Sequence, residues 1–151
     1  GHSAGAHIGA MLAFDPRWLG VRDLDPRRDL AGFAGLAGPY DFLPIKDPAI
    51  ARIFADARPD LAATQPLTFV GGGEAPVFLG VAPADTIVRA GNSERLAHKL
   101  RGVGTPVTLT AYPRANHISL IGAFSPLLRF IGPVADDVAT FVGSAARARS
   151  A

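Results

Sequence analysis

Residues 1–11 read GHSAGAHIGAM, and the first five have the form G-x-S-x-G around Ser3. This form predicts a tight turn from a strand into a helix, with the serine hydroxyl exposed and both flanking glycines relieving crowding. A serine hydroxyl becomes a useful nucleophile when a neighbouring base takes its proton. We expect the amide of Ala4, at the start of the helix, to be an oxyanion-hole donor. A helix that merely begins with small residues would have a similar sequence. The motif therefore indicates a nucleophile only if another part of the chain supplies a base.

Composition narrows the classes of function before any site is considered. The 151 residues are 48% hydrophobic and 19% charged, which is typical of one globular domain. The net charge is +2, and the arginines form no basic patch interleaved with aromatic residues, so no nucleic-acid partner is expected. The absence of cysteine excludes disulfides, thiolate zinc sites and cysteine nucleophiles, and leaves the compartment undetermined. No apolar run approaches the roughly 18 residues of a membrane span.

Helical and strand-like patterns alternate along the chain, which predicts α/β organisation with parallel strands. The region 15–30 is predicted to be a loop, and the proline-rich stretch 38–48 to be irregular. Asn92 is a candidate N-cap for the helix that follows the second strand. The predicted order is helix 4–14, strand 31–38, helix 48–57, strand 77–82, helix 91–104, strand 105–112 and helix 132–150.

The candidate base and acid each follow a predicted strand, at the end where open α/β sheets place their sites. His117 lies in YPRANHISL, predicted to be a loop after the last strand, and Asp85 follows the strand before it. Asp85 could hold one imidazole nitrogen of His117 and stabilise the imidazolium. Asp41 is a weaker candidate for the acid, since it more naturally shapes its own turn. Tyr40, its neighbour, is expected to line a pocket wall and contact substrate.

His7 also lies near the serine in sequence, one helical turn after Ser3. A side chain at that position points along the helix, whereas the serine points out of the turn. We therefore expect His7 to be structural, or to support the site without contacting substrate.

The chain order serine, aspartate, histidine is the order of α/β-hydrolases. The blocks GHSAGAH, GLAGPYDFLP, G-x-A-x-x-D-T-x-V and YPRANHISLIGAF resemble successive blocks of the esterase branch of that superfamily, related to carboxylesterases, feruloyl and acetyl esterases and arylformamidases. The resemblance covers nearly all of the chain. It implies Ser3 as nucleophile, Asp85 as acid and His117 as base in a serine hydrolase of small to medium carboxylic esters. It also implies an acyl-enzyme route with no metal or organic cofactor.

The same resemblance implies an α/β fold in which residues 1–151 form the C-terminal part of an α/β-hydrolase domain, with about three parallel strands flanked by helices. The N-terminal strands and a glycine-rich oxyanion loop would then lie upstream. We expect the strand near residues 32–37 to be an exposed apolar edge, and residues 1–151 alone to be weakly active or inactive.

Two alternatives to an esterase stay open at this point. One is an arylformamidase-like amide hydrolase, and the other is a non-catalytic interaction domain that keeps the fold. A peptidase is less favoured, since no extended peptide groove is indicated. The sequence determines neither the acyl and alcohol specificity nor the oligomeric state.

Overall fold

Three parallel strands form the sheet in a computed structural model that describes residues 1–57 and 59–150. The strands are β1 (Phe33–Leu36), β2 (Val77–Val81) and β3 (Val107–Ala111), in the spatial order β1-β2-β3. They start level with one another, so their carboxyl ends meet at one edge of the sheet. The prediction of three parallel strands is confirmed. Every residue of β2 is buried, as its continuous apolar run indicates for a central parallel strand.

Helices precede, connect and follow the strands in the described part of the chain. They are α1 (Ala4–Phe14), α2 (Pro16–Gly20), α3 (Pro26–Asp29), α4 (Pro48–Ile53), α5 (Gly91–Gly102), α6 (His117–Gly122) and α7 (Val134–Ser150). Short 3-10 turns cover Ala55–Ala57, Leu61–Thr64, Pro66–Phe69 and Pro126–Ile131. None of the described helices is long and apolar enough to cross a membrane.

The core lies on both faces of the sheet. One cluster packs α1 and α5 against the strands, and the fully buried Leu96 and Leu100 of α5 belong to it. Burying each leucine side chain stabilises the fold by about 1.5–3 kcal/mol. The other cluster packs residues of α6 and α7, including Leu120 and Val134, on the opposite face. The result is a three-layer α/β/α arrangement.

Two short helices, α2 and α3, replace the loop predicted for residues 15–30. Each begins with an Asp-Pro pair. Asp15 and Asp25 precede the helices and accept hydrogen bonds from the amides of Arg17 and Arg27, and a proline fills the first helical position. An aspartate cap followed by proline starts a helix even where no apolar period continues it. The loop prediction was wrong over these two helices because it relied on the absence of an apolar period, whereas residues 21–25 do form a loop between them.

Asn92 is not the N-cap of α5, as had been predicted from the sequence. The helix begins one residue earlier, at Gly91. The side-chain oxygen of Asn92 instead accepts hydrogen bonds from the amides of Tyr40 and Asp41, at 3.1 and 3.0 Å. Asn92 therefore ties the loop after β1 to the start of α5.

The outer edge of β1 is partly covered by the first residues of the chain. Leu36 donates its amide hydrogen to the carbonyl of Gly1, and Ser3 donates to the carbonyl of Leu36, each at 2.9 Å. His2 and Leu36 form a parallel bridge. The predicted apolar edge is thus occupied at its carboxyl end by the turn that carries Ser3.

Candidate active site

Ser3 occupies a strained turn between the edge of β1 and the start of α1. Its backbone has φ 52° and ψ −122°, a left-handed φ that residues with a side chain rarely adopt. Such a conformation persists only where surrounding structure fixes it. Here the two hydrogen bonds to Leu36 hold one side of the turn, and the helix holds the other, where the Ser3 carbonyl accepts from Ala6 and His7.

The two glycines that flank Ser3 differ in what they contribute. A Cβ atom on Gly1 would lie 2.3 Å from the carbonyl oxygen of Gly5, a backbone atom that no rotamer change can move away. A Cβ atom on Gly5 would meet nothing within 4 Å. The expectation that both glycines relieve crowding holds for Gly1 and is wrong for Gly5.

Ser3, His117 and Asp85 lie in one hydrogen-bonded line. The Oγ of Ser3 is 2.9 Å from Nε2 of His117, and Nδ1 of His117 is 2.7 Å from Oδ2 of Asp85. The His117 and Asp85 side chains are 8% and 1% exposed, so water screens their contact weakly. With the Nδ1 proton held by the carboxylate, the Nε2 lone pair is directed at the serine hydroxyl.

The carboxylate of Asp85 is fixed in the turn that follows β2. Its Oδ1 accepts the amide hydrogens of Ile87 and Val88 at 2.8 and 2.9 Å, which leaves Oδ2 for His117. Charge-assisted hydrogen bonds of this kind are about twice as strong as neutral ones. The turn therefore presents a preorganised negative charge to the imidazole.

His117 begins a helix, whereas its segment was predicted to be a loop. Asn116 precedes α6 and forms a capping box, in which its side chain accepts from Ile118 and Ser119 and its amide donates to the Ser119 hydroxyl. The helix has only six residues, so its apolar period is too short to detect in the sequence. This cap sets the direction in which the His117 side chain leaves the backbone.

The amide of Ala4 is free to donate beside Ser3. Ala4 is the first residue of α1, where a backbone N–H has no partner within the helix. No other described residue accepts this hydrogen. An amide so placed, at the positive end of a helix, can stabilise negative charge that develops on an atom bound to Ser3.

His2 lies within the same site, although the sequence assigned it no role. Its Nε2–H donates to the carbonyl oxygen of His117 at 2.8 Å, and the two rings have centroids 4.7 Å apart with a 48° tilt. Burial lowers the pKa of His2, against the opposing effect of this hydrogen bond. Adjacency to Ser3 was the only sequence feature that marked His2, because the contact joins residues 115 positions apart.

Tyr40 lies in the core and not on a pocket wall. Its side chain has no exposed surface, and its hydroxyl approaches the space over Gly35 and Gly38. This hydroxyl has no hydrogen-bond partner among the described residues, and burial raises the pKa of the phenol. The position does not fit the expected contact with substrate, and we do not include Tyr40 in the proposed site.

The competing acid, Asp41, contacts Arg95 through an ion pair on the surface. It accepts no hydrogen bond from His117, which bonds to Asp85. The structure thus brings Asp85, and not Asp41, to the imidazole.

His7 contacts the segment that follows β1, in keeping with the structural role expected for it. Its Nε2–H donates to the carbonyl of Thr64 at 2.8 Å, and its ring packs edge-on against Phe42 and Phe54. Burial lowers the pKa of His7.

Among the described residues there is no cluster of three or more histidine or carboxylate side chains that could hold a metal ion.

Comparisons with known proteins identify the fold. No family model and no curated protein matches the chain. The propionate-bound structure of Est2, a thermophilic esterase from the Planctomycetes species Thermogutta terrifontis, is similar over 95% of this chain and 54% of its own, with TM-score 0.68 and 16% identity. The carboxylesterase Cest-2923 from Lactobacillus plantarum WCFS1 is similar over 79% of this chain and 44% of its own, with TM-score 0.62 and 17% identity.

A truncated carbohydrate esterase from gut microbiota is similar over 97% of this chain and 58% of its own, with TM-score 0.64 and 18% identity. The chain therefore spans about half the length of these solved structures. Three parallel strands flanked by helices match the C-terminal part of an α/β-hydrolase fold, as the sequence predicted.

Proposed function

We propose that the protein containing this chain is a serine hydrolase that cleaves carboxylic esters of small to medium acyl groups. The observation that carries the proposal is the line of hydrogen bonds from Ser3 through His117 to Asp85, at the carboxyl ends of the strands. The similar solved structures support it, since the three compared above are esterases. A short acyl group is consistent with the propionate bound to one of them.

In the proposed reaction Ser3 is the nucleophile and His117 is the general base. The Ser3 Oγ attacks the ester carbonyl carbon while Nε2 of His117 takes the hydroxyl proton. Asp85 stabilises the imidazolium that forms and keeps the Nδ1 proton in place. The tetrahedral intermediate carries a negative oxygen, and the Ala4 amide donates a hydrogen bond to it.

The intermediate collapses when the bond to the alkoxide breaks and His117 returns its proton to that leaving group. The product is an alcohol and an acyl ester on Ser3. A water molecule then gives a proton to His117 and attacks the acyl carbon. Collapse of the second intermediate breaks the bond to Ser3 Oγ, which regains its proton from His117 and releases the carboxylic acid.

The described structure supplies the Ala4 amide as an oxyanion donor, and acyl transfer normally uses more than one such donor. Removing a single donor typically costs about 100- to 1000-fold in kcat. The chain spans 54% of the length of the Thermogutta esterase. We therefore propose that residues 1–151 alone hydrolyse esters weakly, and that the protein containing them is the active form.

The proposal is tested by measuring p-nitrophenyl acetate and butyrate hydrolysis by the protein that contains this chain. We expect Ser3→Ala and His117→Ala each to reduce kcat/KM by at least about 1000-fold. His98→Ala is the matched control, since His98 is exposed on α5, and should leave the rate unchanged. Ester hydrolysis that survives Ser3→Ala would overturn the proposal. Preferential cleavage of N-formyl anilines would favour the amide hydrolase.

A further inference from the structure

We propose that His2 is a positioning residue that holds the backbone of the general base, His117, in line with Ser3. The inference rests on the proposed function, because it concerns the residue that takes the serine proton. His2 is not placed to take that proton itself. Its Nε2 donates to a carbonyl oxygen, and in the described structure the Ser3 hydroxyl is hydrogen-bonded to His117 and not to His2.

Two hydrogen bonds join the turn at residues 1–5 to the segment 112–122 in the described structure. One is the contact between Ser3 Oγ and His117 Nε2, which the proposed reaction breaks and remakes in every cycle. The other runs from His2 Nε2–H to the His117 carbonyl and involves no reacting atom. The second bond can therefore keep the two segments together while the first one changes.

The His2 side of this contact is held against β1 by backbone hydrogen bonds. His2 forms a bridge to Leu36 at the end of β1, and the bonds of Gly1 and Ser3 to the same strand flank it. Its side chain thus connects the base directly to the edge of the sheet. His117 belongs to a six-residue helix held at its start by a capping box, a small element with few internal bonds of its own.

His2 also contacts the ring of His117. The centroid distance of 4.7 Å puts the two rings in van der Waals contact and limits rotation of the His117 side chain. Burial lowers the pKa of His2, so near neutral pH the ring is uncharged and does not oppose formation of the His117 imidazolium. The side chain therefore offers both a hydrogen bond to the backbone of the base and a surface against its ring.

The effect on the reaction should fall on kcat. A general base must lie within about 2.6–3.2 Å of the atom whose proton it removes, and a displacement of about 1 Å can lower the rate about 100-fold. Substrate binding does not need the base in that position. We expect loss of the His2 contacts to lower kcat about 10- to 100-fold and to change KM less than about threefold.

Three substitutions separate the two contacts. His2→Gln keeps an N–H donor at similar reach without the ring, His2→Phe keeps a ring without the donor, and His2→Ala removes both. Each is measured in the protein containing this chain, with p-nitrophenyl acetate as substrate, with Ser3→Ala as the inactive reference and with the melting temperature as the measure of folding. We expect kcat to decrease in the order wild type, His2→Gln, His2→Phe, His2→Ala. The melting temperatures of these four proteins should be similar.

A readout independent of hydrolysis keeps the inference separate from the proposed function. We expect the proton between His117 Nδ1 and Asp85 to give a low-field proton NMR resonance, which would be lost if the imidazole became mobile. We expect this resonance to persist in His2→Gln and to broaden or vanish in His2→Ala. If wild type and Ser3→Ala are equally inactive, the proposed function fails, and this resonance alone decides the role of His2. Equal kcat in His2→Ala and wild type, or an unchanged resonance in His2→Ala, would overturn the inference.

Discussion

Asp85 holds His117 through one carboxylate oxygen and its own turn through the other. Oδ2 accepts the Nδ1 proton of the imidazole at 2.7 Å, while Oδ1 accepts two backbone amides of the residues that follow. The same carboxylate therefore orients the base and is itself oriented by the chain. A substitution can therefore remove the bond that orients His117 and keep the bonds that hold the turn.

Asp85→Asn should remove activity without unfolding the protein. An asparagine can keep its oxygen on the amides of Ile87 and Val88, but it then presents an N–H group to His117. The imidazole must accept that bond at Nδ1, so the proton moves to Nε2 and the lone pair facing Ser3 is lost. We expect kcat to fall by about 10⁴-fold, as such a tautomer change does in serine proteases, with the circular dichroism spectrum unchanged.

Asp41→Asn is the matched control for that experiment. Asp41 pairs with Arg95 at the surface, where an ion pair contributes at most about 1 kcal/mol. We expect full activity in this variant. A large loss of activity in Asp41→Asn, with Asp85→Asn active, would assign the acid to the other aspartate.

The two glycines beside Ser3 should respond to alanine in opposite ways. Gly1→Ala forces the Cβ into the Gly5 carbonyl, and overpacking of this kind costs about 1–3 kcal/mol. Gly5→Ala adds a methyl group in open space on a helix, where alanine is favoured by about 0.5–1 kcal/mol. Thermal unfolding should give a lower melting temperature for Gly1→Ala and an equal or higher one for Gly5→Ala. The reverse order would contradict the geometry of the turn.

Tyr40→Phe should stabilise the protein and leave its activity unchanged. The Tyr40 hydroxyl is buried with no hydrogen-bond partner among the described residues, a situation that costs about 1–3 kcal/mol. Tyr112→Phe is the matched control, because it removes a 2.7 Å hydrogen bond from a tyrosine to the Asp137 carboxylate and should destabilise. Urea unfolding measures both. A loss of hydrolysis in Tyr40→Phe would restore the expectation that Tyr40 contacts substrate.

His7→Gln should make the stability of the protein less sensitive to acid. Burial lowers the pKa of His7 in the folded state below the value of about 6.5 that histidine has when unfolded. The unfolded chain then takes up the proton more readily, so the stability from neutral His7 is complete above pH 6.5 and declines as pH falls below it. Glutamine can keep the N–H donor to Thr64 without titrating.

The measurement is the melting temperature of both proteins at several values between pH 7.5 and pH 5. We expect a smaller decrease on acidification in His7→Gln than in wild type, whatever their absolute values. Parallel curves would show that His7 does not contribute to the pH dependence.

The sheet and the side chains of Ser3, Asp85 and His117 could be predicted because each is indicated by a short sequence pattern. Strand β2 is a continuous apolar run, which is typical of a strand buried on both faces of a sheet. Every residue of β2 is buried, which confirms this prediction. Asp85 and His117 follow predicted strands, and parallel strands bring such positions to one edge of the sheet. Because β2 and β3 are parallel neighbours, residues that follow them lie close together although they are distant in the chain.

Other features depend on capping residues, which carry no apolar period, or on contacts between residues that are distant in the chain. The short helices at Asp15, Asp25 and His117 arise from caps and not from an apolar period, so periodicity missed them. Tyr40 follows a strand, as site residues do, yet its side chain turns into the core. The bond from His2 to His117 links residues 115 positions apart, and only folding reveals it.

The most direct test of the account is covalent labelling of the protein with a fluorophosphonate, followed by mass spectrometry to locate the adduct. The account predicts one adduct, on Ser3, formed at least about 100-fold more slowly in His117→Ala and absent in Ser3→Ala. An adduct on another residue, or labelling of Ser3 at the same rate without His117, would contradict the claim that the imidazole activates this serine.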